Sequence, residues 1–147
     1  MTLPSPRAKL AGCVWFARIR AKARLLEAGE LPESYEPFFC HPQGVDGQFL
    51  RFFSLDRDRI MEMAGWSDSE TASRFLELPH VSPDRIEEWN KIAENLGREG
   101  FPMAEALTRG LQGSYQRIAH WKPATIFEAL EADDQVEEGE TAADPTS

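Results

Sequence analysis

Apolar residues recur at helical spacing in one segment after another of this chain, and no segment shows sustained period-two alternation or a hairpin turn. The first helical segment is the longest. Ser5 as N-cap and Pro6 at the first helical position open it and Gly29 stops it, which predicts a helix from Ser5 to about Ala28. Pro32, Pro37, Pro42 and Gly44 then keep any helix out of residues 29–47. That stretch holds Tyr35, Phe38, Phe39, Cys40 and His41, too apolar for a free loop, so a packed loop is expected.

Further on, Asp46 can cap a short helix bearing Phe49, Leu50, Phe52 and Phe53, and Asp56 a second bearing Ile60, Met61 and Met63. Ser67 with Glu70 three residues later is a capping box that opens a helix through Leu78, where Pro79 stops it. Ser82-Pro83 starts another, with Ile86, Trp89, Ile92, Ala93 and Leu96 on one face and Gly97 at its end. Pro102 and Pro123 open two more, with Leu107 and Leu111 inward in one and Ile126, Phe127 and Leu130 in the other. The aromatic rings at 49, 52 and 53 read as core, and Trp66, Trp89 and Trp121 as anchors of helix packing. The pattern predicts an all-α fold. One domain of five to seven helices spans residues 1–130, with a long N-terminal helix, and 131–147 form a disordered acidic tail of seven acids and no base.

Charge sharpens this picture. The chain of 147 residues carries a net charge of -9, which opposes general nucleic-acid binding because that needs a broad cationic surface. The first predicted helix nevertheless has Arg7, Lys9, Arg18, Arg20, Lys22 and Arg24, with no acid before Glu27. At about 100° per residue, Trp15, Ile19 and Leu26 make one apolar stripe and Leu10, Val14, Ala21 and Leu25 another. Arg18 and Lys22 fall between the stripes, partly buried and in need of carboxylates or a bound anion. Arg20 and Arg24 fall on the far side with Cys13 and Ala17, facing water.

Little else suggests chemistry. Two cysteines make no disulfide framework and fit a reducing cytoplasm. The apolar run Cys13 to Ala17 is too short to span a bilayer, and no signal-peptide core follows the basic opening. Cys40 and His41 are adjacent, which points their side chains apart, and His80 and His120 lack a ligand pattern, so no metal and no other cofactor is expected. No phosphate-cradling glycine loop occurs, and the turn Gly97 to Gly100 lacks the strands of a single-strand RNA module.

Several of these segments, in this order, resemble a bacterial helical family known as domain of unknown function 5069. They are Ser5-Pro6-Arg7, Trp15, Lys22-Ala23-Arg24, Asp46 with Phe49-Leu50, Ser67 to Glu70, and Ser82-Pro83 with Trp89-Asn90. Arg117-Ile118-Ala119 and Thr125-Ile126-Phe127, before Glu131, Asp133 and Asp134, are similar to its closing segment. A turn like Cys-Pro-Leu-Asp precedes the Phe-rich helix in that family, whereas here Cys40 to Asp46 is longer and keeps only the cysteine and the final aspartate. The resemblance implies a compact bacterial helical domain and brings no activity with it.

The resulting expectation is a binding or scaffolding protein of the bacterial cytoplasm, its partner a small anion or another protein. Its site lies between the first helix and the loop after it. Arg18 and Lys22 supply charge there, Asp46 orients Lys22 or a ligand donor, Tyr35 gives a hydroxyl and a wall, and Cys40 lies in the loop beside them. The rival expectation is a small-molecule enzyme using Cys40 or His41 beside the cationic pair, and a third is a partner-binder whose acidic tail shields Arg20 and Arg24.

Overall fold

Helices account for every extended element of the computed structural model, which describes residues 3–142. They are α1 (Phe16–Glu27), a 3₁₀ turn (Glu36–Phe38), α2 (Val45–Phe53), α3 (Arg57–Met63), α4 (Asp68–Leu76), α5 (Pro83–Asn95), α6 (Ala104–Gln112), a 3₁₀ helix (Gln116–Trp121) and α7 (Ile126–Ala142). The fold is all-α, as the apolar spacing implies. The chain divides into two compact units, Met1–Ala93 and Glu94–Ser147.

In the first unit the helix predicted from Ser5 begins only at Phe16. Ala11, Gly12 and Trp15 have φ of +54°, +81° and +73°, a left-handed geometry that no α-helix tolerates. Side chains of α5 stabilise this bend. Asn90 Oδ1 accepts from the Val14 amide at 3.0 Å, Asn90 Nδ2 donates to the Gly12 carbonyl at 2.9 Å, and Trp89 Nε1 donates to the Val14 carbonyl at 2.9 Å. Two adjacent residues thus take up backbone groups that a helix would have paired with itself.

The side chains of that segment therefore depart from helical-wheel positions. Leu10 and Val14 are buried outside any helix, and Cys13, expected to face water, is wholly buried. Arg20 is buried as well. Its guanidinium donates to Thr71 Oγ1 at 3.0 Å and pairs with Asp68 at the start of α4. Arg24 is exposed as expected, and its Nε caps the end of α3 by donating to the Ala64 carbonyl at 3.1 Å.

Phe16, Phe49, Phe53, Phe75 and Trp89 build the core of this unit, all fully buried. Phe16 lies 4.6 Å from Phe75 and 5.2 Å from Phe49 between centroids, and Phe49 meets Trp89 edge-on at 5.4 Å. At about 2–3 kcal/mol per buried ring, this cluster outweighs any single polar contact and fixes how α1, α2, α4 and α5 pack. The local signals then set the helix starts: Asp56 accepts from the Arg59 amide at 2.9 Å, Ser67 from Glu70 at 3.1 Å and Ser82 from Arg85 at 3.2 Å.

The second unit buries Leu96, Leu107, Ile118, Ile126, Phe127 and Ala129. Gly97, at φ +94°, lets the chain pass so close to α7 that a Cβ there would lie 3.0 Å from the Ile126 amide nitrogen. Thr125 and Glu128 form a capping box at the start of α7: the Glu128 amide donates to Thr125 Oγ1 at 3.2 Å, and Glu128 Oε2 accepts from the Thr125 amide at 3.1 Å. Trp121, expected to anchor packing, is instead exposed at the end of the 3₁₀ helix, where Lys122 turns the chain at φ +51°.

The segment expected as a tail from residue 131 is helical through Ala142, and 143–147 lie outside the described residues. Alanines explain the continuation. Ala129 and Ala132 are small enough to bury one face without large apolar side chains, and alanine is the best helix former. Arg117 Nε donates to Asp133 at 2.8 Å, tying this helix to the 3₁₀ helix before it.

Candidate functional site

Asp46 is the second residue of α2, not its cap. Gly44 holds the N-cap position with no side-chain bond. The carboxylate is therefore free to turn inward, where it is 1% exposed. Its Oδ1 accepts from Trp15 Nε1 at 2.7 Å and from Lys22 Nζ at 2.9 Å. Its Oδ2 accepts from Lys22 Nζ at 2.8 Å and from the Cys40 amide at 2.9 Å. One side chain thereby joins α2 to α1, to the bend before α1 and to the loop after it. Lys22 also lies over the Trp15 ring, with Nζ 5.1 Å from its centroid.

Two of the three donors come from strained backbone. Trp15 has φ +73° and Cys40 +58°, in a region that bulky L-residues rarely enter. Such strain costs on the order of 1–3 kcal/mol per residue and persists only where the surroundings over-determine it. At Cys40 the Asp46 carboxylate is that determinant; at Trp15 it holds the indole, while Trp89 and Asn90 hold the backbone just before it.

Residues 31–44 form a strap over this network. Leu31 and Phe39 point inward and are buried, Tyr35 is half-buried at the head of the 3₁₀ turn, and Phe38 is 62% exposed. The strap lies tight on the first turn of α2, because a Cβ at Gly47 would come 2.4 Å from the Pro42 carbonyl oxygen and 2.5 Å from that of His41. Only glycine fits there. Two exposed arginines flank the strap: Arg51 donates to the Pro42 carbonyl, and Arg57 stacks 5.1 Å from the centre of the Phe39 ring.

Of the residues singled out in the sequence, Lys22, Asp46 and the Cys40 backbone are brought together directly. Arg18 is 2% exposed, donates to the Pro4 carbonyl at 3.1 Å and lies 5.6 Å from the Trp15 ring centre. The donor role of Trp15 escapes a helical wheel because the wheel assumes a helix that the chain does not form there.

The groups of the enzyme alternative are differently placed. Burial, reinforced by the negative charge of Asp46, pushes the Cys40 thiol up to about 12, so it stays protonated at neutral pH. Burial does the same to Cys13, also to about 12. His41 is exposed and its Nδ1 accepts from the Gln43 amide at 3.0 Å, so the neutral ring carries its proton on Nε2 and has no second acceptor nitrogen. Among the described residues no group of three or more His, Cys, Asp or Glu could hold a metal ion, and no helix is long and apolar enough to cross a membrane.

Fold and site together define a small all-α protein organised around a buried, fully engaged ion pair. A family model described as domain of unknown function (DUF5069) matches residues 1–136, and the chain belongs to that family. No curated protein and no solved structure matches it.

Proposed function

We propose that the chain is a binding or scaffolding module of the bacterial cytoplasm, not an enzyme, and that α1 and the strap form its ligand-facing surface. One observation carries this reading. Asp46, the buried carboxylate at the centre of the site, takes four hydrogen bonds from Trp15, Lys22 and Cys40. A carboxylate offers about four lone-pair sites, so none is left for a general base. The protonated Cys40 thiol likewise offers no nucleophile. The cytoplasmic setting is supported by two free cysteines and the bacterial one by the family resemblance.

In this reading Arg18, Lys22, Tyr35, Cys40 and Asp46 frame the site. Around them Phe38, His41, Arg51 and Arg57 stand exposed and can meet a ligand. The ligand this rim suits is a small anion or an acidic segment of a partner, and the two arginines supply bidentate donors for it. Thermal unfolding with inorganic phosphate, citrate and acetate tests the proposal, since a ligand that binds only the folded state raises the midpoint. At least one of these anions should stabilise the protein, and Arg51→Gln/Arg57→Gln should abolish the effect. A response to none of the three, or one that survives the double substitution, overturns the anion-binding surface. Rapid labelling of Cys40 at neutral pH would revive the thiol enzyme.

A further inference from the structure

We infer that residues 32–44 act as a latch that opens as one unit, caught in its closed state by the Cys40 amide on Asp46, and that the closed latch seals the buried Lys22 of α1. Its use depends on the reading of α1 and the strap as a binding surface; its existence does not.

The strap's own backbone bonds make it a unit. The Tyr35 amide donates to the Pro32 carbonyl, Phe38 to Tyr35, Phe39 to Glu36, His41 to Phe38 and Gly44 to His41, at 2.9 to 3.2 Å. These turns overlap from Pro32 to Gly44, so the segment keeps its shape if it swings. Its ends suit a pivot. At one end Leu31 is pinned to α1, its amide donating to the Leu25 carbonyl at 3.2 Å, and at the other Gly44 stands just outside α2.

Its ties to the rest of the unit are of a different kind. Among them are the Cys40 amide on Asp46, the Phe39 ring buried beneath Arg57, and the Arg51 guanidinium on the Pro42 carbonyl. Residues 33, 34, 36–38 and 41–43 are exposed, so the buried surface that opposes opening is mainly that of Phe39. The left-handed backbone of Cys40 relaxes once its amide leaves Asp46, which also favours release.

What the latch covers follows from one atom. Asp46 Oδ2 accepts from Lys22 Nζ at 2.8 Å and from the Cys40 amide at 2.9 Å, so the strap backbone lies directly beside the ammonium. With the latch closed, Lys22 is 5% exposed. Opening uncovers that side of Lys22 and empties the seat of Phe39, turning a sealed ion pair into a cationic edge beside an apolar slot.

Hydrogen exchange of the full chain, followed by mass spectrometry, tests this without any ligand. While Phe38, Phe39, His41 and Gly44, whose amides are bonded within the strap, keep their protection, the Cys40 amide should show an opening constant at least about tenfold larger than that of the α1 amides. Asp46→Asn should raise it further relative to α4. Arg51→Gln, an exposed change that leaves the Asp46 network intact, should raise it several-fold with α5 unaffected, and this arm stands even if Asp46→Asn fails to fold. A Cys40 amide that exchanges only together with α1, or no faster than the amides bonded within the strap, overturns the latch. Because no ligand is present, that failure leaves the binding proposal standing, and a failed anion panel leaves the latch standing.

Discussion

Removing the Asp46 carboxylate gives the sharpest test of the site's physics. Asp46→Ala orphans three donors at once: the Lys22 ammonium, whose side chain is 6% exposed, the Trp15 indole N–H and the Cys40 amide. Breaking a buried ion pair by deleting one partner costs roughly 3–5 kcal/mol, and each orphaned neutral donor about 1–3 kcal/mol more. Relief of strain at Cys40 returns about 1–3 kcal/mol. The balance is a loss of about 6 kcal/mol, a large part of the roughly 5–15 kcal/mol that stabilises a typical domain. Lys22→Met is milder, about 2–3 kcal/mol, because Asp46 keeps the Trp15 and Cys40 donors. The double variant should fall short of the sum by at least about 2 kcal/mol, since the second change removes the charge that the first left stranded. Urea unfolding followed by tryptophan fluorescence measures all three. Additivity within about 0.5 kcal/mol would show that the two groups do not depend on each other and would refute the coupled ion pair.

Further outcomes follow from the same structure. Gly47→Ala should cost about 1–3 kcal/mol by driving a methyl into the Pro42 and His41 carbonyls; an unchanged urea midpoint would contradict the tight seat of the strap. Ser54→Gly should stabilise by about 0.5–1 kcal/mol in thermal unfolding, because Ser54 ends α2 at φ +56°, a left-handed position that glycine occupies freely. Both thiols have folded values raised to about 12 by burial, above the roughly 8.5 of an unfolded cysteine. The folded state then holds its protons more tightly, so their contribution is complete below that ordinary value and is lost as pH rises from there towards 12. Cys13→Ala/Cys40→Ala should flatten the alkaline limb of the stability curve, and a limb of unchanged slope would refute the burial of the thiols.

The helix starts were legible because each is a local event. Asp56, Ser67 and Ser82 cap the helices that follow them through bonds spanning three residues. The pairing of Lys22 with Asp46 was half legible. The need of a buried cation for a carboxylate is written in the spacing, but 25 acids compete for the role and only the fold selects one. The start of α1 was not legible, since the contacts that bend residues 11–15 come from Trp89 and Asn90, more than seventy positions away.

The sequence by itself determined an all-helical chain, most of its breakpoints and its aromatic core, because periodicity, capping and proline act over a few residues. Tertiary structure alone decided that Trp15 and Cys40 should both turn left-handed towards Asp46, that Arg20 should be buried against α4, and that residues 131–142 should extend α7. Those outcomes depend on which distant groups reach a given backbone amide or carbonyl first. A strained bend becomes the stable choice only when partners from elsewhere in the chain satisfy the groups it leaves open.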